Sequence, residues 1–383
     1  MTLRMNRGKR FWVSLVVLAI LIVVVFYFRQ KSFESIRTIQ NSFQRVASRP
    51  KFIPTPTSYP FENLTIPYLR KQTYKSSLGS LHKVAQNNNY TSYLTSYTSD
   101  GFKINGLLTI PVGIPPKDGF PAIVFVHGYI PPKQYTTTDY YVDYVDYLAR
   151  NGFVVFKIDL RGNGDSQGPP AGAYFSSGYV TDTLNAYAAL QTAHESSSSA
   201  VLKSATPTQT SSEMVDVNPQ KIGLWGHSMA GNIVMRAWAV KPDIPAVVIW
   251  AGAGYTYADL EKYKIHDPSY QPSTTSSPGA SSSAGLQKQL VKLYGQPGSD
   301  NQFWHDMAPT SFLTDLKGAI QVDQAQDDTV VNIGYNRDLM KLFDKTSVPH
   351  QMFEYPTGGH NISGQSFTRA MENTVSFYKK YLK

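Results

Sequence analysis

The sequence contains no cysteine. Disulfides, thiolate metal sites and cysteine nucleophiles are therefore excluded, and the chain tolerates an oxidising compartment. It also lacks a phosphate loop, which removes that route to phosphoryl transfer. No His, Asp or Glu cluster has metal-ligand spacing, so neither a metal nor a cofactor is expected. No internal repeat runs through it. Lys plus Arg exceed Asp plus Glu by nine. That surplus forms no basic patch interleaved with aromatics, so no nucleic-acid partner is expected.

What is present can fold. The 383 residues are 42% hydrophobic, enough for a large core. Residues 11–28, FWVSLVVLAILIVVVFYF, carry no charge and have the length of a short spanning helix. Arg4, Arg7, Lys9 and Arg10 precede the run. The positive-inside rule then keeps residues 1–10 in the cytoplasm and exports the rest. A cleaved signal peptide is the rival, but the run is long for one and no small-x-small site follows Phe28. The expectation is a single-pass membrane protein with an uncleaved anchor. Residues 29–85, with prolines at 50, 54, 56, 60 and 67, are expected as a stalk and lead-in. Residues 86–383 remain for one domain.

Within that domain, "YLTSYTSDGFKINGLLTIP" alternates around Asp100-Gly101 and predicts antiparallel strands. "AIVFVHG", "FVVFKIDL", "KIGLWG", "AVVIW", "AIQVDQ" and "HQMFEYP" are short apolar runs separated by helical patterns. Alternating strand and helix predicts an α/β fold with a doubly wound, mostly parallel sheet. Two Ser/Thr-rich stretches, 195–213 and 272–285, cannot bury a core and are expected as mobile surface insertions.

The chemistry gathers at "KIGLWGHSMAG". A strand-like run meets Gly226-His227-Ser228-Met229-Ala230-Gly231, and a helical pattern follows. One serine on a sharp strand-to-helix corner between small residues is a nucleophile elbow. Its hydroxyl needs a base. His360, in the glycine-rich "EYPTGGHNISG" after the last strand-like run, is the best placed of eight histidines. The orienting acid should follow the strand before it, where Asp323, Asp327 and Asp328 lie. Asp323 comes too early. Between Asp327 and Asp328 the spacing favours Asp327, with Asp328 as a turn cap. An oxyanion hole needs the N–H after the nucleophile, from Met229, and one from "VFVHGY", best from Tyr129.

As an ordered set, "SDGFKINGLLTIP", "PAIVFVHGY", "GFVVFKIDLRGNGDSQG", "VNPQKIGLWGHSMAG", "DDTVV" and "GGHN" resemble the α/β-hydrolase superfamily. They are most similar to the catalytic domain of the prolyl oligopeptidase family and its dienelactone hydrolase-like relatives. The resemblance covers residue 95 to the C-terminus. It implies a serine hydrolase with a Ser228–Asp327–His360 triad, and a bracing role for Asp159 and Arg161. Peptidases of that family carry a β-propeller. The sixty or so residues between anchor and domain are too few for one, which favours an ester as substrate, with a short peptide as the alternative. A non-catalytic binding protein on the same fold is the reading from another class.

Overall fold

The computed structural model describes residues 59–172, 174–201, 215–266, 283–298 and 300–383. The expected tail (1–10), the anchor (11–28) and residues 29–58 of the expected 29–85 stalk and lead-in lie outside the described residues. Among the described residues no helix is long and apolar enough to cross a membrane. The compact unit that carries the fold is Pro60–Lys383.

Nine strands form one sheet in the order β1-β2-β3-β5-β4-β6-β7-β8-β9. They are β1 (His82–Gln86), β2 (Tyr90–Ser99), β3 (Phe102–Pro111), β4 (Phe120–Val126), β5 (Val154–Ile158), β6 (Val217–His227), β7 (Ala246–Trp250), β8 (Ala319–Ala325) and β9 (His350–Tyr355). The predicted hairpin is β2–β3, with Ser99 opposite Phe102. Its two-residue turn, Asp100-Gly101, has φ of 49° and 80°, the left-handed geometry that suits strand twist. From β5 through β9 the neighbours are parallel.

The parallel strands are buried on both faces, which is why they read as unbroken apolar runs. Successive side chains serve opposite cores. Ala122, Val124 and Val126 of β4 pack into one cluster, and Ile123 and Phe125 into the other. Val247 and Ile249 of β7 join the first; Ala246, Val248 and Trp250 join the second. Each such aliphatic side chain contributes about 1.5–3 kcal/mol by leaving water.

The helices that position the site are α1 (Ile66–Arg70), α2 (Val142–Arg150), α3 (Gly178–Val201), α4 (Met229–Val240), α5 (Ala258–Tyr263), α6 (Ser283–Tyr294), α7 (Gln302–Met307), α8 (Gly334–Phe343) and α9 (Gln365–Tyr381). Residues of α3, α4 and α8 fill the first cluster, and those of α2 and α9 the second, so helices cover both faces.

Two boundaries differ from the sequence reading. The stretch 60–85 belongs to the compact unit. Ile66 and Leu69 are core residues, and Thr65 caps α1 by accepting from Tyr68 N–H. The Arg70 guanidinium donates to Ala239 C=O at 2.8 and 2.7 Å and pairs with Asp315 at 2.7 Å. A cation on the last carbonyls of α4 is favourable. Prolines disguise this segment as a linker, and β1 is exposed along its whole length, so it carries no alternation to read. The second difference is α3, which runs on to Val201 into the first serine-rich stretch. Most of both stretches (202–214 and 267–282) lies outside the described residues.

Candidate active site

The chain leaves β4 for β5 on one side and then crosses back to β6 on the other. The carboxyl ends of β4 and β6 therefore flank a topological switch point, where open α/β sheets bind ligands. Gly128 and Tyr129 follow the end of β4, and Ser228 follows the end of β6.

Ser228 has φ 56° and ψ −119°, a conformation costing on the order of 1–3 kcal/mol. Neighbours fix it. Its N–H donates to Trp250 C=O at 2.9 Å, and its own C=O accepts from Gly231 N–H at 2.9 Å. A Cβ on Gly226 would stand 2.7 Å from the Ala230 carbonyl oxygen, and one on Gly231 would stand 2.7 Å from Gly252 Cα. This is why the corner is built of small residues. Alanine at 230 is fully buried without conflict.

His360 lies in the short 3₁₀ turn Gly359–Asn361 after β9. Its Nδ1 is 2.9 Å from Asp328 Oδ2. The Asp328 side chain is 1% exposed and that of His360 18%. Asp328 also accepts from Val330 N–H at 2.8 Å, Val331 N–H at 3.0 Å and Gln324 Nε2 at 3.1 Å. Burial pushes its carboxyl up, but His360 and the two amides outweigh that and hold it below its usual value. A carboxylate so held keeps its charge at neutral pH.

The partner of His360 is thus Asp328, not Asp327 as the spacing had favoured. Asp327 accepts from Gly359 N–H at 2.8 Å and from Gly358 N–H at 3.3 Å, anchoring the histidine loop by its backbone. Counting from the strand end misleads because the chain turns after Ala325. Asp328 folds inward over its own turn while Asp327 points across to the neighbouring loop. Asp323, read as too early, is buried at the end of β8 and accepts from Tyr355 OH and Gln321 Nε2 at 2.6 Å each.

The strand-end loop approaches the serine closely: a Cβ on Gly128 would lie 3.2 Å from Ser228 Cβ. Gly128 N–H is already donated, to Tyr141 OH at 2.9 Å. Tyr129 is the next amide along. Met229 is the first residue of α4, where an N–H has no intrahelical carbonyl. The expected oxyanion residues thus flank Ser228, one in sequence and one in space. His127 is fully buried against the carbonyls of Gly128 and Asp159, and burial pushes it down to about 4.

The expected brace is present. Arg161 Nη2 reaches Asp182 at 2.7 Å and Asp100 at 2.8 Å. Asp159 accepts from Tyr135 OH at 3.0 Å and Thr137 Oγ1 at 2.6 Å. Sequence reasoning missed Lys157. It is fully buried within β5, and its Nζ donates to Tyr140 C=O at 2.9 Å. Burial pushes its ammonium down to about 8. It also missed Tyr141 and assigned no contact to His227.

A cavity of about 340 Å³ opens between Ser228 and His360, walled by Tyr129, Ile130, Tyr140, Tyr144, Val330 and Asn361. Among the described residues, no ionisable group other than histidine and tyrosine lines it. Among the described residues no group of three His, Asp or Glu could hold a metal.

The fold and the site together define a hydrolase-type α/β protein with a serine at its elbow. A model of the alpha/beta hydrolase fold family matches residues 121–319, over half of the chain, and the chain belongs to that family. Its fold is similar to acetyl xylan esterase from Paenibacillus sp. R4 (15% identity, TM-score 0.53, 82% of this chain and 92% of the other). It is likewise similar to acetyl xylan esterase 1 from Thermoanaerobacterium sp. JW/SL YS485 (17%, 0.50, 82% and 92%). Dipeptidyl peptidase 4 from Porphyromonas gingivalis matches at 15% identity and TM-score 0.51, over 76% of this chain but 36% of its own length.

Proposed function

We propose that the protein is a serine hydrolase that cleaves uncharged carboxylic esters, with Ser228 as nucleophile, His360 as base and Asp328 as orienting acid. The observation that carries this is the 2.9 Å pairing of His360 with a buried carboxylate, on the same cavity that Ser228 lines. Asp328 accepts the Nδ1–H of His360, which leaves Nε2 bare to take the serine proton. Ser228 Oγ then attacks the ester carbonyl. The Met229 and Tyr129 amides receive the developing oxyanion. His360 returns the proton to the leaving alkoxide, and water, deprotonated by the same imidazole, releases the acid.

The cavity wall favours an ester over a peptide. A site that captures a free amino terminus needs a carboxylate to receive the ammonium, and among the described residues none lines this cavity. Tyrosines and aliphatics suit a neutral acyl or alcohol group. The acetyl xylan esterase neighbours are compatible with an ester. A short peptide is the second reading, carried by the dipeptidyl peptidase neighbour.

A fluorophosphonate probe should label the wild type and not Ser228→Ala. p-Nitrophenyl acetate should be cleaved at least about 100-fold faster than aminoacyl-p-nitroanilides, a gap of roughly 3 kcal/mol. Faster nitroanilide cleavage would establish the peptidase instead. An unlabelled, folded wild type would leave a binding protein on a hydrolase fold.

Residues 11–28, with the basic residues before them, support a single-pass anchor that places the hydrolase on the extracytoplasmic side. In intact cells an added protease should reach the hydrolase unit. Protection until lysis would reverse the orientation.

A further inference from the structure

The loop that carries His360 is a single short turn, closed by Ile362 N–H to Gly359 C=O at 3.2 Å and Ser363 N–H to Gly358 C=O at 2.9 Å. Gly358 and Gly359 have φ of 133° and 59°, and Ile362 has φ 47°, so the segment spends glycine freedom on a tight path. Its backbone is also held from outside. Asp327 receives the two glycine amides. Tyr144 OH donates to Asn361 C=O at 2.7 Å. His227 Nε2 lies 2.9 Å from His360 C=O.

The contact to His360 fixes the state of His227. A carbonyl can only accept, so Nε2 carries the proton. The ring is buried, at 2% exposure, and neutral, which leaves Nδ1 bare. Its partner at 2.7 Å, Tyr141 OH, must then be the donor. The same hydroxyl accepts Gly128 N–H at 2.9 Å. One directed chain therefore runs Gly128 N–H to Tyr141 OH to His227 Nδ1, and on from His227 Nε2–H to His360 C=O. It joins the β4 loop, the nucleophile elbow and the histidine loop.

The backbone of Tyr141 gives a second, independent sign. This bulky residue sits at φ 60° and ψ 26°, just before α2, a left-handed conformation costing about 1–2 kcal/mol. Strain of that kind persists where surroundings demand it. Here it sends the ring inward against Phe125 and Trp225, at centroid distances of 5.5 and 6.1 Å, with the hydroxyl between Gly128 and His227.

We propose that Tyr141 and His227 are positioning residues that set the imidazole of His360 over Ser228 and hold the oxyanion loop in register with it. The proposal rests on the serine hydrolase reading and assigns no proton transfer to either residue.

The test is steady-state turnover of p-nitrophenyl acetate by full-length wild type, His227→Leu, His227→Gln and Tyr141→Phe, with fluorophosphonate labelling rates alongside. His227→Leu should lower kcat about 10- to 100-fold with KM within about threefold, as expected for a misplaced base. The Gln side-chain nitrogen can occupy the Nε2 position, so His227→Gln should recover most of the loss. Tyr141→Phe should lower kcat about tenfold. Labelling rates should fall in parallel. A folded His227→Leu with unchanged kcat, a rise in KM alone, or a Gln variant as slow as Leu would each overturn the brace. Should His227→Leu not fold, Tyr141→Phe decides, and unchanged kcat there overturns it. A wild type that takes no probe fails separately, as a failure of the serine hydrolase reading.

Discussion

Ser228 and His360 line one cavity and are held there by different means. The elbow is made by its own chain: β6 runs straight into α4, and contacts among Gly226, Ala230, Gly231 and Gly252 leave the serine one path. The histidine loop is walled only in part: a Cβ at Gly358 would stand 2.9 Å from Ile362 Cα, but one at Gly359, beside the histidine, would meet nothing within 4 Å. Polar side chains from three other segments hold it instead: Asp327 and Asp328 after β8, Tyr144 on α2, and His227 at the elbow. Sterics can position a nucleophile that never moves. A base that must turn between serine, leaving group and water is better held by hydrogen bonds to its backbone.

The largest effect that would break this contrast lies at the two adjacent aspartates. Asp328→Asn leaves an amide facing His360 Nδ1, which favours the wrong tautomer. A loss of about 10⁴ in kcat is expected, as in the best-studied triad. Asp327→Asn keeps one acceptor for the glycine amides, so less than about tenfold is expected, along with roughly 1 kcal/mol of stability. Stopped assays of both purified variants decide it. A large kinetic loss at Asp327 alone would make that residue the acid after all.

Next comes a pair of glycines. Gly226→Ala forces a methyl to 2.7 Å from a backbone oxygen, so several kcal/mol and no soluble protein are expected. Gly359→Ala meets no atom but must hold φ near +59°, a cost of about 1–2 kcal/mol. It should fold, with kcat lowered only a few-fold. Soluble yield of Gly226→Ala and the thermal melt of Gly359→Ala compare steric with conformational control. A stable Gly226→Ala would mean that the elbow has slack.

The sheet and the nucleophile were legible because each leaves a local mark. Double-faced burial produces runs such as AIVFV and AVVIW, and the elbow forces small residues at fixed offsets from Ser228. The Asp100-Gly101 turn was legible for the same reason. The acid was not, since Asp327 and Asp328 differ only in how one turn folds. Tyr141, His227 and Lys157 were hidden because their partners, an amide and an imidazole for Tyr141 and carbonyls and hydroxyls for the other two, lie in other segments of the chain and leave no local pattern. Pro60 to Gln86 misled because prolines and an exposed edge strand look like a linker, whereas Ile66 and Leu69 are core.

The smallest effect separates the elbow from β8 by the sign of their pH dependence. On the elbow side His227 is neutral, pushed down to about 3 by burial and by the nearby His360. Its unfolded pKa is near 6.5. Between those values the unfolded chain binds a proton that the folded one refuses, so this residue removes stability as pH falls below 6.5. On β8, the strand that leads to Asp328, Asp323 is pushed up to about 7 by burial, against the pull of Tyr355 and Gln321. Its unfolded pKa is near 3.9. There the folded state holds the extra proton, so Asp323 adds stability as pH falls from about 7 toward 4. The two largely cancel in the wild type, and single variants should expose them. His227→Gln should flatten the loss of stability between pH 7.5 and 4.5, and Asp323→Asn should steepen it. Each change in slope should amount to about 3 kcal/mol across that window. Lost hydrogen bonds shift each curve by a constant and leave the slopes alone. Urea melts at the two pH values read them. Parallel curves for wild type and Asp323→Asn would mean that Asp323 stays ionised in its buried site, and that its surroundings in β8 are more polar than their packing implies.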